Sequence, residues 1–483
     1  MSDDSTLGVT AVVVLAAGAS TRMKSKRSKL LHEVCGRSLI SYAITAASAL
    51  EPEHLVVVVG HQREQVSEHV HEIAPWAVQA VQEAQLGTGH AVRCGLDSLP
   101  ELTGDVVVTY GDVPLLTGET LAGLVAEHHA AGNAVTVLTA VVESPTGYGR
   151  IVREHGSVAR IVEEKDATDD ERSIREINSG IYVFDAATLT AGLANLRADN
   201  AAGELYLTDV VTYANGVGGS VGAHLIDDPW QTEGVNDRVQ LAGLSRELNR
   251  RILEKWMRAG VTVMDPATTW VADTVDLAED VTLLPNTILR GATSIAEGAT
   301  IGPDTMLTDV EVGPGASVTR THATLAVIGE GAEVGPYSFI RPGTRLGVHG
   351  KIGAFVEAKN ATIGDGAKVP HLTYCGDADV GDGANIGAGT IFANYDGVHK
   401  HRTKVGKASF VGSNSVLVAP VEIADGAYVA AGSAITDAVE PGDLAIARGR
   451  QRNIPGWVSS RRAGTKTEAA AIEALGAKEG DQQ

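Results

Sequence analysis

Cysteine is scarce in this sequence, which limits the kinds of site that the chain can carry. Only Cys35, Cys94 and Cys375 occur among 483 residues, far apart and odd in number. That pattern argues against a disulfide framework and against a clustered zinc site. Reduced thiols are typical of the cytosol, so we expect a cytoplasmic protein.

Long hydrophobic runs are also missing. No apolar stretch reaches the roughly 18 residues that a membrane span needs. The first residues, MSDDSTLG, are acidic and lack the basic and apolar regions of a signal peptide. We therefore expect neither a membrane segment nor a membrane partner.

Basic residues are fewer than acidic residues in this sequence. Lys and Arg number 39 against 60 Asp and Glu, which leaves a net charge of −21. Such a surface opposes nonspecific binding to nucleic acid, which needs clustered cations. The basic cluster between Arg22 and Lys29 is therefore a local feature of an acidic protein.

Aromatic residues make up only 4% of the chain, whereas glycine occurs 55 times. This pairing favours a repetitive, turn-rich region with a core of small aliphatic residues. After about residue 265, aliphatic residues indeed recur every six positions, which predicts a parallel β-helix with three short strands per coil. The register breaks at 353–379 and 393–404, where we expect loops to leave the coil. The repeating positions are Val271, Leu277, Leu283, Leu289, Ile295, Ile301 and Leu307, then Ile328, Val334, Ile340, Leu346 and Ile352, then Val405, Val411, Leu417, Ile423, Val429 and Ile435.

The first half has the pattern of an α/β fold. Short β-branched runs suit strands that are buried on both faces, and helical segments separate several of them. Residues 237–260 carry apolar side chains at three- and four-residue steps, which predicts an amphipathic linker helix. The predicted strands are 11–15, 55–59, 105–110, 134–142 and 180–184.

These patterns predict the organisation of the domains. We expect an α/β domain over 1–236, a linker helix over 237–262 and a β-helix over 263–460. The polar, Ala-rich segment 461–483 is expected to be disordered.

The stretch VVLAAGASTRMKSKRSKLLH, residues 13–32, leads from a strand into a loop of small residues and then into the basic cluster. Backbone amides of Gly18, Ala19 and Ser20 can face a phosphate, and Arg22 and Lys29 can neutralise it. A solvated basic face is the alternative interpretation. The loop is not a Walker loop, because that motif's G-x-x-x-x-G-K-[ST] pattern is absent.

Other motifs supply polar groups of the kind that read a base or bind a metal. In QEAQLGTGHA, Gln82, Gly87 and Thr88 can contact a base edge. In YGDVPLL, Asp112 follows a buried strand, where α/β sheets bind ligands; in EGVND, Asn236 precedes the linker helix. A turn or a helix cap is the alternative role for each. With substrate phosphates, these two oxygen ligands suit Mg²⁺.

The motifs LAAGASTRM, QLGTGHA, YGDVPLL, GYGRIV, IVEEKDA, EINSGIY and EGVND occur in the order and spacing of the sugar-phosphate nucleotidyltransferases. The chain resembles their bifunctional members, which combine an N-acetylglucosamine-1-phosphate uridyltransferase with a glucosamine-1-phosphate N-acetyltransferase (the GlmU type). The resemblance covers nearly all of 9–457. It implies a Rossmann-like N-terminal domain, a left-handed C-terminal β-helix, a homotrimer and a product that feeds peptidoglycan synthesis and so cell shape.

For the uridyltransferase, the resemblance implies that Arg22 and Lys29 bind the UTP phosphates and that Asp112 and Asn236 bind Mg²⁺. It implies that uracil lies on Gln82, Gly87 and Thr88. The full set of implied binding residues is Ala16, Gly18, Lys29, Gln82, Gly87, Thr88, Tyr110, Gly111, Asp112, Gly149, Glu163, Asn178 and Asn236, of which Gly149, Glu163 and Asn178 bind the sugar.

For the acetyltransferase, the resemblance makes His371 the general base that deprotonates the amine of glucosamine 1-phosphate. It implies that Arg341 and Lys359 hold the sugar phosphate while Tyr374 and Asn385 orient the sugar. It gives Cys375 no role. The residues implied to contact acetyl-CoA are Ala388, whose backbone N–H would stabilise the oxyanion, Asn394 and Tyr395 from the neighbouring subunit, Ser413, Ala431 and Arg448, with Lys400 near the CoA phosphates.

Two departures from the family pattern stand in the phosphate loop. Ser20 replaces a glycine, and Ser28 replaces the proline before Lys29, which we expect to loosen the loop. Two alternative functions stay open at this point: a monofunctional nucleotidyltransferase with a structural β-helix, and an assembly scaffold whose catalytic half has decayed.

Overall fold

The computed structural model describes residues 8–19 and 21–480. The chain forms two compact units, Met1–Gly331 and Ala332–Gln483. Ser20, one of the two departures noted above, lies outside the described residues, and so do 481–483.

The first unit is built on a mixed β-sheet in the order β11-β7-β10-β6-β1-β4-β5, with β8 and β9 attached to β10. Strand β1 pairs in parallel with β4 and β6, whereas β10 runs antiparallel to β6 and β7. The predicted α/β class is confirmed. The strands are β1 (Val9–Ala16), β2 (Glu33–Val34), β3 (Arg37–Ser38), β4 (His54–Val59), β5 (Val78–Val81), β6 (Asp105–Tyr110), β7 (Val135–Val141), β8 (Gly149–Glu154), β9 (Ser157–Val162), β10 (Glu176–Asp185) and β11 (Val221–Ile226).

Helices cover both faces of this sheet, as its continuous apolar strands require. Helices α1, α2 and α4 pack on one face through residues such as Ile40, Val66 and Leu121. Helices α3, α6 and α7 pack on the other through residues such as Val92 and Leu189. The helices are α1 (Leu39–Ser48), α2 (Arg63–Ile73), α3 (Thr88–Leu96), α4 (Gly118–Ala131), α5 (Asp169–Arg172), α6 (Ala186–Ala194), α7 (Asp209–Gly216) and α8 (Arg238–Arg258).

Helix α8 is the predicted amphipathic helix. Asp237 caps its start by accepting hydrogen bonds from the backbone N–H groups of Val239 and Gln240. Leu244 and Ile252 are buried as the pattern predicts, but Val239 is 81% exposed because it lies in the first turn, outside the packed stretch.

Short parallel strands follow in both units, and the predicted parallel β-helix is confirmed. In the first unit they stack as β12-β15-β18-β20 and β13-β16-β19-β21. They are β12 (Thr262–Val263), β13 (Trp270–Val271), β14 (Asp276–Leu277), β15 (Thr282–Leu283), β16 (Thr287–Arg290), β17 (Ser294–Ile295), β18 (Thr300–Ile301), β19 (Thr305–Val312), β20 (Ser317–Val318) and β21 (Thr321–Ile328).

In the second unit the strands stack as β22-β25-β27-β29-β32-β35-β37 and β23-β26-β28-β30-β33-β36. They are β22 (Glu333–Val334), β23 (Ser338–Ile340), β24 (Arg345–Leu346), β25 (Lys351–Ala354), β26 (Glu357–Ile363), β27 (Lys368–His371), β28 (Tyr374–Val380), β29 (Asn385–Ile386), β30 (Ile391–Ala393), β31 (Thr403–Val405), β32 (Phe410–Val411), β33 (Val416–Val418), β34 (Val421–Ile423), β35 (Tyr428–Val429), β36 (Ala434–Ile435) and β37 (Leu444–Ala445).

The residues of the six-residue repeat form the core of these coils: every repeating aliphatic position predicted from the sequence is buried. One predicted loop is wrong. Across 353–379 the coil continues, because small Ala358 and Cys375 take the inward positions in β26 and β28. The second predicted loop is confirmed: residues 394–402 leave the coil between β30 and β31.

The C-terminal segment also differs from the expectation of disorder. It contains α9 (Trp457–Arg461) and α10 (Lys466–Gly480). Alanine favours helix, and Thr465 caps the second helix by accepting from the backbone N–H of Glu468 at 3.4 Å.

None of the helices in residues 8–19 and 21–480 combines the length and the apolar character that crossing a membrane requires.

Candidate functional site

The first unit contains a cavity of about 390 Å³ at the carboxyl ends of its central strands. Leu15 of β1 and Tyr110 of β6 are in register, and the N–H of Gly111 donates to the carbonyl of Leu15 at 2.9 Å. The loops after both strands therefore start at one edge of the sheet, where α/β folds bind ligands. The cavity is lined by Leu15, Ala16, Ala17, Gly18, Ala19, Lys29, Leu30, Gln82, Gln85, Gly87, Thr88, Ala91, Tyr110, Asp112, Glu204 and Asn236.

Three of the predicted phosphate and metal ligands, Lys29, Asp112 and Asn236, line this cavity, and the fourth, the exposed Arg22, contacts Asn236. Lys29 Nζ donates to Asp112 Oδ2 and, at 3.1 Å, to the carbonyl of Val235. Arg22 donates to Asn236 Oδ1 at 2.8 Å. The N–H of Val235 donates to the carbonyl of Asp112 at 3.0 Å, which keeps the two oxygen ligands on neighbouring backbone.

The alternative of a solvated basic face holds for only part of the basic cluster. Lys24, Lys26 and Arg27 are exposed. The side chain of Lys29 is only 14% exposed and that of Asp112 only 15%. Lys29 is thus a cavity residue rather than a surface charge.

The QLGTGHA segment forms a second wall. Gln82 is buried, and its amide nitrogen donates to the carbonyl of Gly87 at 3.1 Å. Gly87 has φ +111°, and a Cβ there would lie 2.6 Å from the carbonyl oxygen of Leu205. Only glycine fits this turn. Thr88 accepts from the N–H of Leu207 at 3.1 Å, so its hydroxyl also supports the wall.

The predicted sugar ligands meet where β8 pairs with β10. Gly149 lies opposite Asn178, whose Oδ1 accepts from the backbone N–H of Gly180 and the hydroxyl of Tyr182, both at 2.9 Å. Glu163 follows the adjoining strand β9. Burial raises the pKa of its carboxyl, and the charges of Asp166 and Asp209 raise it further.

Tyr110 lines the cavity beside Asp112, whereas the predicted sugar ligands Gly149, Glu163 and Asn178 do not line it. Tyr110 also contacts the strand that carries Asn178. A Cβ on Gly180 would lie 2.4 Å from the Tyr110 ring, so the ring packs on that glycine. Burial raises the pKa of the Tyr110 hydroxyl, and the carboxylates of Glu163 and Asp112 add to the effect. Both carboxylates therefore lie close enough to act on one phenol.

The loop before Lys29 is not loosened by Ser28. Ser28 is buried at φ −55°, and its N–H donates to Gln65 Oε1 at 3.3 Å. The amide nitrogens of Gln65 and Gln62 both donate to the carbonyl of Lys26, at 3.2 and 3.1 Å. Helix α2 thus holds this loop, which sequence reasoning missed because these glutamines belong to no motif.

In the second unit, three cations converge on the outer face of the coil. The N–H of Arg341 donates to the carbonyl of Ala358 at 2.8 Å, which places Arg341 one coil before Lys359. The neighbouring ammonium of Lys400 lowers the pKa of Lys359, and the charge of Arg341 lowers it further. Glu357 offsets part of this charge through Arg341 at 2.7 Å. The remaining positive charge suits a phosphate.

His371 and Tyr374 lie at the facing ends of β27 and β28, in the coil that follows Lys359. His371 is exposed, whereas Tyr374 accepts from the amide of Asn394 at 3.3 Å. Asn394 also donates to Asp377, so it is buried against its own chain. Tyr395, the next residue, is 60% exposed.

The loop 394–402, which carries Lys400, is anchored at its end. The guanidinium of Arg402 donates twice to the carboxylate of Asp379 and, at 3.2 Å, to the carbonyl of Asn360. These contacts link the loop to the coils of Lys359 and Tyr374. Sequence reasoning missed Arg402, because nothing in the local pattern joins it to Asp379.

The positions expected to contact acetyl-CoA lie on successive coils. Asn385, which is expected to orient the sugar and not to contact acetyl-CoA, lies on the same coils and pairs on β29 with Lys368 and Phe410. The carbonyl of Ala388 accepts from the N–H of Asn414 at 2.7 Å, and that of Ser413 accepts from Gly432 at 2.8 Å. Ala431 and Arg448 are both exposed, and Arg448 follows the last strand, β37.

Cys375 is buried beside this site, and burial raises the pKa of its thiol to about 12. The thiol therefore stays protonated at neutral pH, in agreement with its having no expected role.

Known proteins resemble this chain in both its N-terminal and its C-terminal half. Residues 12–178 match the model of the MobA-like NTP transferase domain. The chain is 56% identical to a protein of Corynebacterium aurimucosum over 98% of each chain. It is 57% identical to one of Paenarthrobacter aurescens over 95% of this chain and 93% of that one. It is 56% identical to one of Streptomyces coelicolor over 95% and 96%. Each of these relatives is named bifunctional protein GlmU.

Proposed function

The chain belongs to the family of bifunctional GlmU proteins and is a uridyltransferase and an acetyltransferase; on this premise we propose how its two sites divide the two reactions. The observation that carries the division is the pair of separate charge clusters. Lys29 and Asp112 lie in the cavity of the first unit, and Arg341, Lys359 and Lys400 lie on the coil of the second.

In the acetyl transfer, the amine of glucosamine 1-phosphate attacks the thioester carbonyl of acetyl-CoA. His371 takes the proton of the amine while the new C–N bond forms, and the C–S bond then breaks to release CoA as its thiolate. Arg341 and Lys359 hold the sugar phosphate, and Tyr374 and Asn385 orient the sugar. A backbone N–H near Ala388 stabilises the oxyanion.

The coenzyme lies along the later coils. Ser413, Ala431 and Arg448 contact acetyl-CoA, and Lys400 lies near its phosphates. Asn394 positions the loop, and the exposed Tyr395 reaches a neighbouring subunit of a homotrimer.

In the uridylyl transfer, a phosphate oxygen of N-acetylglucosamine 1-phosphate attacks the α-phosphorus of UTP, and pyrophosphate leaves. No protein nucleophile takes part. Lys29 and Arg22 exchange their present oxygen partners for phosphate oxygens, so positioning and charge neutralisation supply the catalysis. Ala16 and Gly18, which line the cavity, and Gly111 at the end of β6 bind the nucleotide.

The two substrates use two separate sets of residues, of which the uracil set lines the cavity and the sugar set lies beyond Tyr110. Gln82, Gly87 and Thr88 hold uracil. Gly149, Glu163 and Asn178 hold the sugar, with Tyr110 between the two sides.

The donor set of this cavity fits Mg²⁺. One carboxylate and one amide oxygen, Asp112 and Asn236, are hard ligands on neighbouring backbone, and Mg²⁺ takes few protein ligands besides phosphate and water. When bound, the ion neutralises charge on the phosphates of UTP.

The product, UDP-N-acetylglucosamine, would serve peptidoglycan synthesis and thereby cell shape. We place the enzyme in the cytoplasm, where UTP and acetyl-CoA are available and thiols stay reduced.

Consumption of acetyl-CoA with glucosamine 1-phosphate, compared between the wild type and His371→Ala, tests this assignment. We expect acetylation by the wild type and a loss of about 10²- to 10⁴-fold in the variant. Full activity of His371→Ala would remove His371 from the base role. No acetylation by the wild type would reduce the β-helix to a scaffold.

A further inference from the structure

A histidine that has no role in the reactions above lies behind the wall of the nucleotide cavity, in contact with Gln82. His90 lies in α3, two residues after Thr88. Its Nδ1 is 3.1 Å from the amide nitrogen of Gln82, and its Nε2 is 3.6 Å from Cys94 Sγ.

The orientation of the Gln82 carboxamide follows from its neighbours. Gly87 presents a carbonyl oxygen at 3.1 Å, which can only accept, so the NH₂ group of Gln82 must face it. The second N–H of the same NH₂ group then points to His90 Nδ1. That nitrogen must accept, so His90 is the neutral tautomer with its proton on Nε2.

The remaining atom of the carboxamide is an oxygen. Among the hydrogen bonds of the described residues, Gln82 Oε1 makes none, and Gln82 lines the cavity. The two NH₂ contacts therefore leave the oxygen, an acceptor, as the atom of the Gln82 carboxamide that is available to a ligand.

We propose that His90 is a specificity-determining positioning residue that fixes the Gln82 carboxamide with its oxygen towards the base and so favours uracil over cytosine. Uracil carries a hydrogen on N3 that an acceptor can take, whereas N3 of cytosine is itself an acceptor. A mismatch leaves two acceptors facing each other without water, which is the kind of contact that discriminates between similar substrates. The inference rests on the proposed uracil site.

The test measures kcat/KM for UTP and for CTP in the wild type, His90→Ala, Gln82→Ala and the double variant. Loss of one hydrogen bond from the carboxamide should lower the UTP/CTP ratio of His90→Ala by about three- to tenfold, mainly through KM for UTP. In the Gln82→Ala background the same substitution should change the ratio no further. Arg93→Ala is the matched control: Arg93 is an exposed residue of the same helix, and its substitution should keep the wild-type ratio.

The outcomes separate the two hypotheses. An unchanged or raised ratio in His90→Ala, with a lowered ratio in Gln82→Ala, overturns the role of His90 alone. An unchanged ratio in Gln82→Ala overturns the uracil site itself, and the inference with it.

A spectroscopic readout covers the case in which the His90 variant fails to fold. Long-range ¹H–¹⁵N spectra of the wild-type protein distinguish the two neutral tautomers of a histidine. We expect the His90 signal to report a proton on Nε2 and a bare Nδ1. A proton on Nδ1 would contradict the proposal.

Discussion

The two candidate sites differ in how much of each a single chain encloses. In the first unit, Lys29 and Asp112 lie in a cavity and are 14% and 15% exposed. In the second, His371 is exposed and Tyr395 is 60% exposed on the outside of a coil. A twisted sheet with loops at one edge can surround a ligand, whereas a solenoid points its core inward and presents only an outer surface. This contrast supports the proposal that a neighbouring subunit of the trimer completes the acetyltransferase site.

Removing the carboxylate of Asp112 should have the largest effect. That effect should be confined to the uridyltransferase site. We expect Asp112→Ala to lower uridylyl transfer by about 10³-fold, because a preorganised charge at the reacting phosphates is lost. Acetyl transfer by the same preparation is the control and should be unchanged. Loss of both activities in a folded protein would contradict the separation of the sites.

Filling the tight turn of the cavity should destabilise the first unit. Gly87→Ala places a Cβ 2.6 Å from the carbonyl oxygen of Leu205 at φ +111°. We expect the free energy of unfolding to fall by about 1–3 kcal/mol, measured by urea denaturation. Gly18→Ala is the matched control, since its Cβ would meet no atom within 4 Å. Equal stability of the two variants would show that the turn is not constrained.

Releasing the loop of the second unit should weaken acetyl transfer without touching the first site. Arg402→Ala removes the contacts to Asp379 and Asn360 that anchor residues 394–402. We expect kcat/KM for acetyl transfer to fall about tenfold through misplacement of Lys400 and Tyr395. Arg345→Ala, an exposed arginine on β24, should leave it unchanged. A similar loss in both variants would point to surface charge rather than to the loop.

The smallest effect concerns the loop that presents Lys29. Gln65→Ala leaves the N–H of Ser28 without its partner, and we expect KM for UTP to rise by about two- to tenfold. Ser28→Pro in the same background should reverse most of that rise, because proline has no N–H and prefers the φ that Ser28 already adopts. If Gln65→Ala raises KM for UTP equally in the wild type and in the Ser28→Pro variant, the role of this hydrogen bond is contradicted.

The sequence predicts what local periodicity controls and misses what distant contacts control. Buried positions such as Leu289 and Val411 predict the β-helix, because their six-residue spacing can be seen in the sequence alone. The false loop at 353–379 arose where Ala358 and Cys375, small or uncharacteristic residues, occupy inward positions. The polarity of 461–483 predicts disorder, whereas its alanines have the high helix propensity that α10 reflects.

The resemblance to a known family predicts which motifs bind the nucleotide, but the sequence does not reveal how their side chains pair. Lys29 and Asp112 are 83 positions apart, and Arg402 and Asp379 are 23 apart. Such contacts depend on how the strands are arranged in space. The orientation of Gln82 likewise depends on a carbonyl and an imidazole that meet only in the folded turn.

Complementation between inactive chains tests the central contrast most directly. We would co-purify mixed oligomers of His371→Ala with Tyr395→Ala, and separately of Asp112→Ala with Lys29→Ala, using two affinity tags. If Tyr395 serves a neighbour's site, the first mixture regains part of the acetyl transfer that each variant alone lacks. If the uridyltransferase site lies in one chain, the second mixture stays inactive in uridylyl transfer. No recovery of acetyl transfer in verified mixed oligomers would contradict the account, since the acetyltransferase site would then also be complete within a single chain.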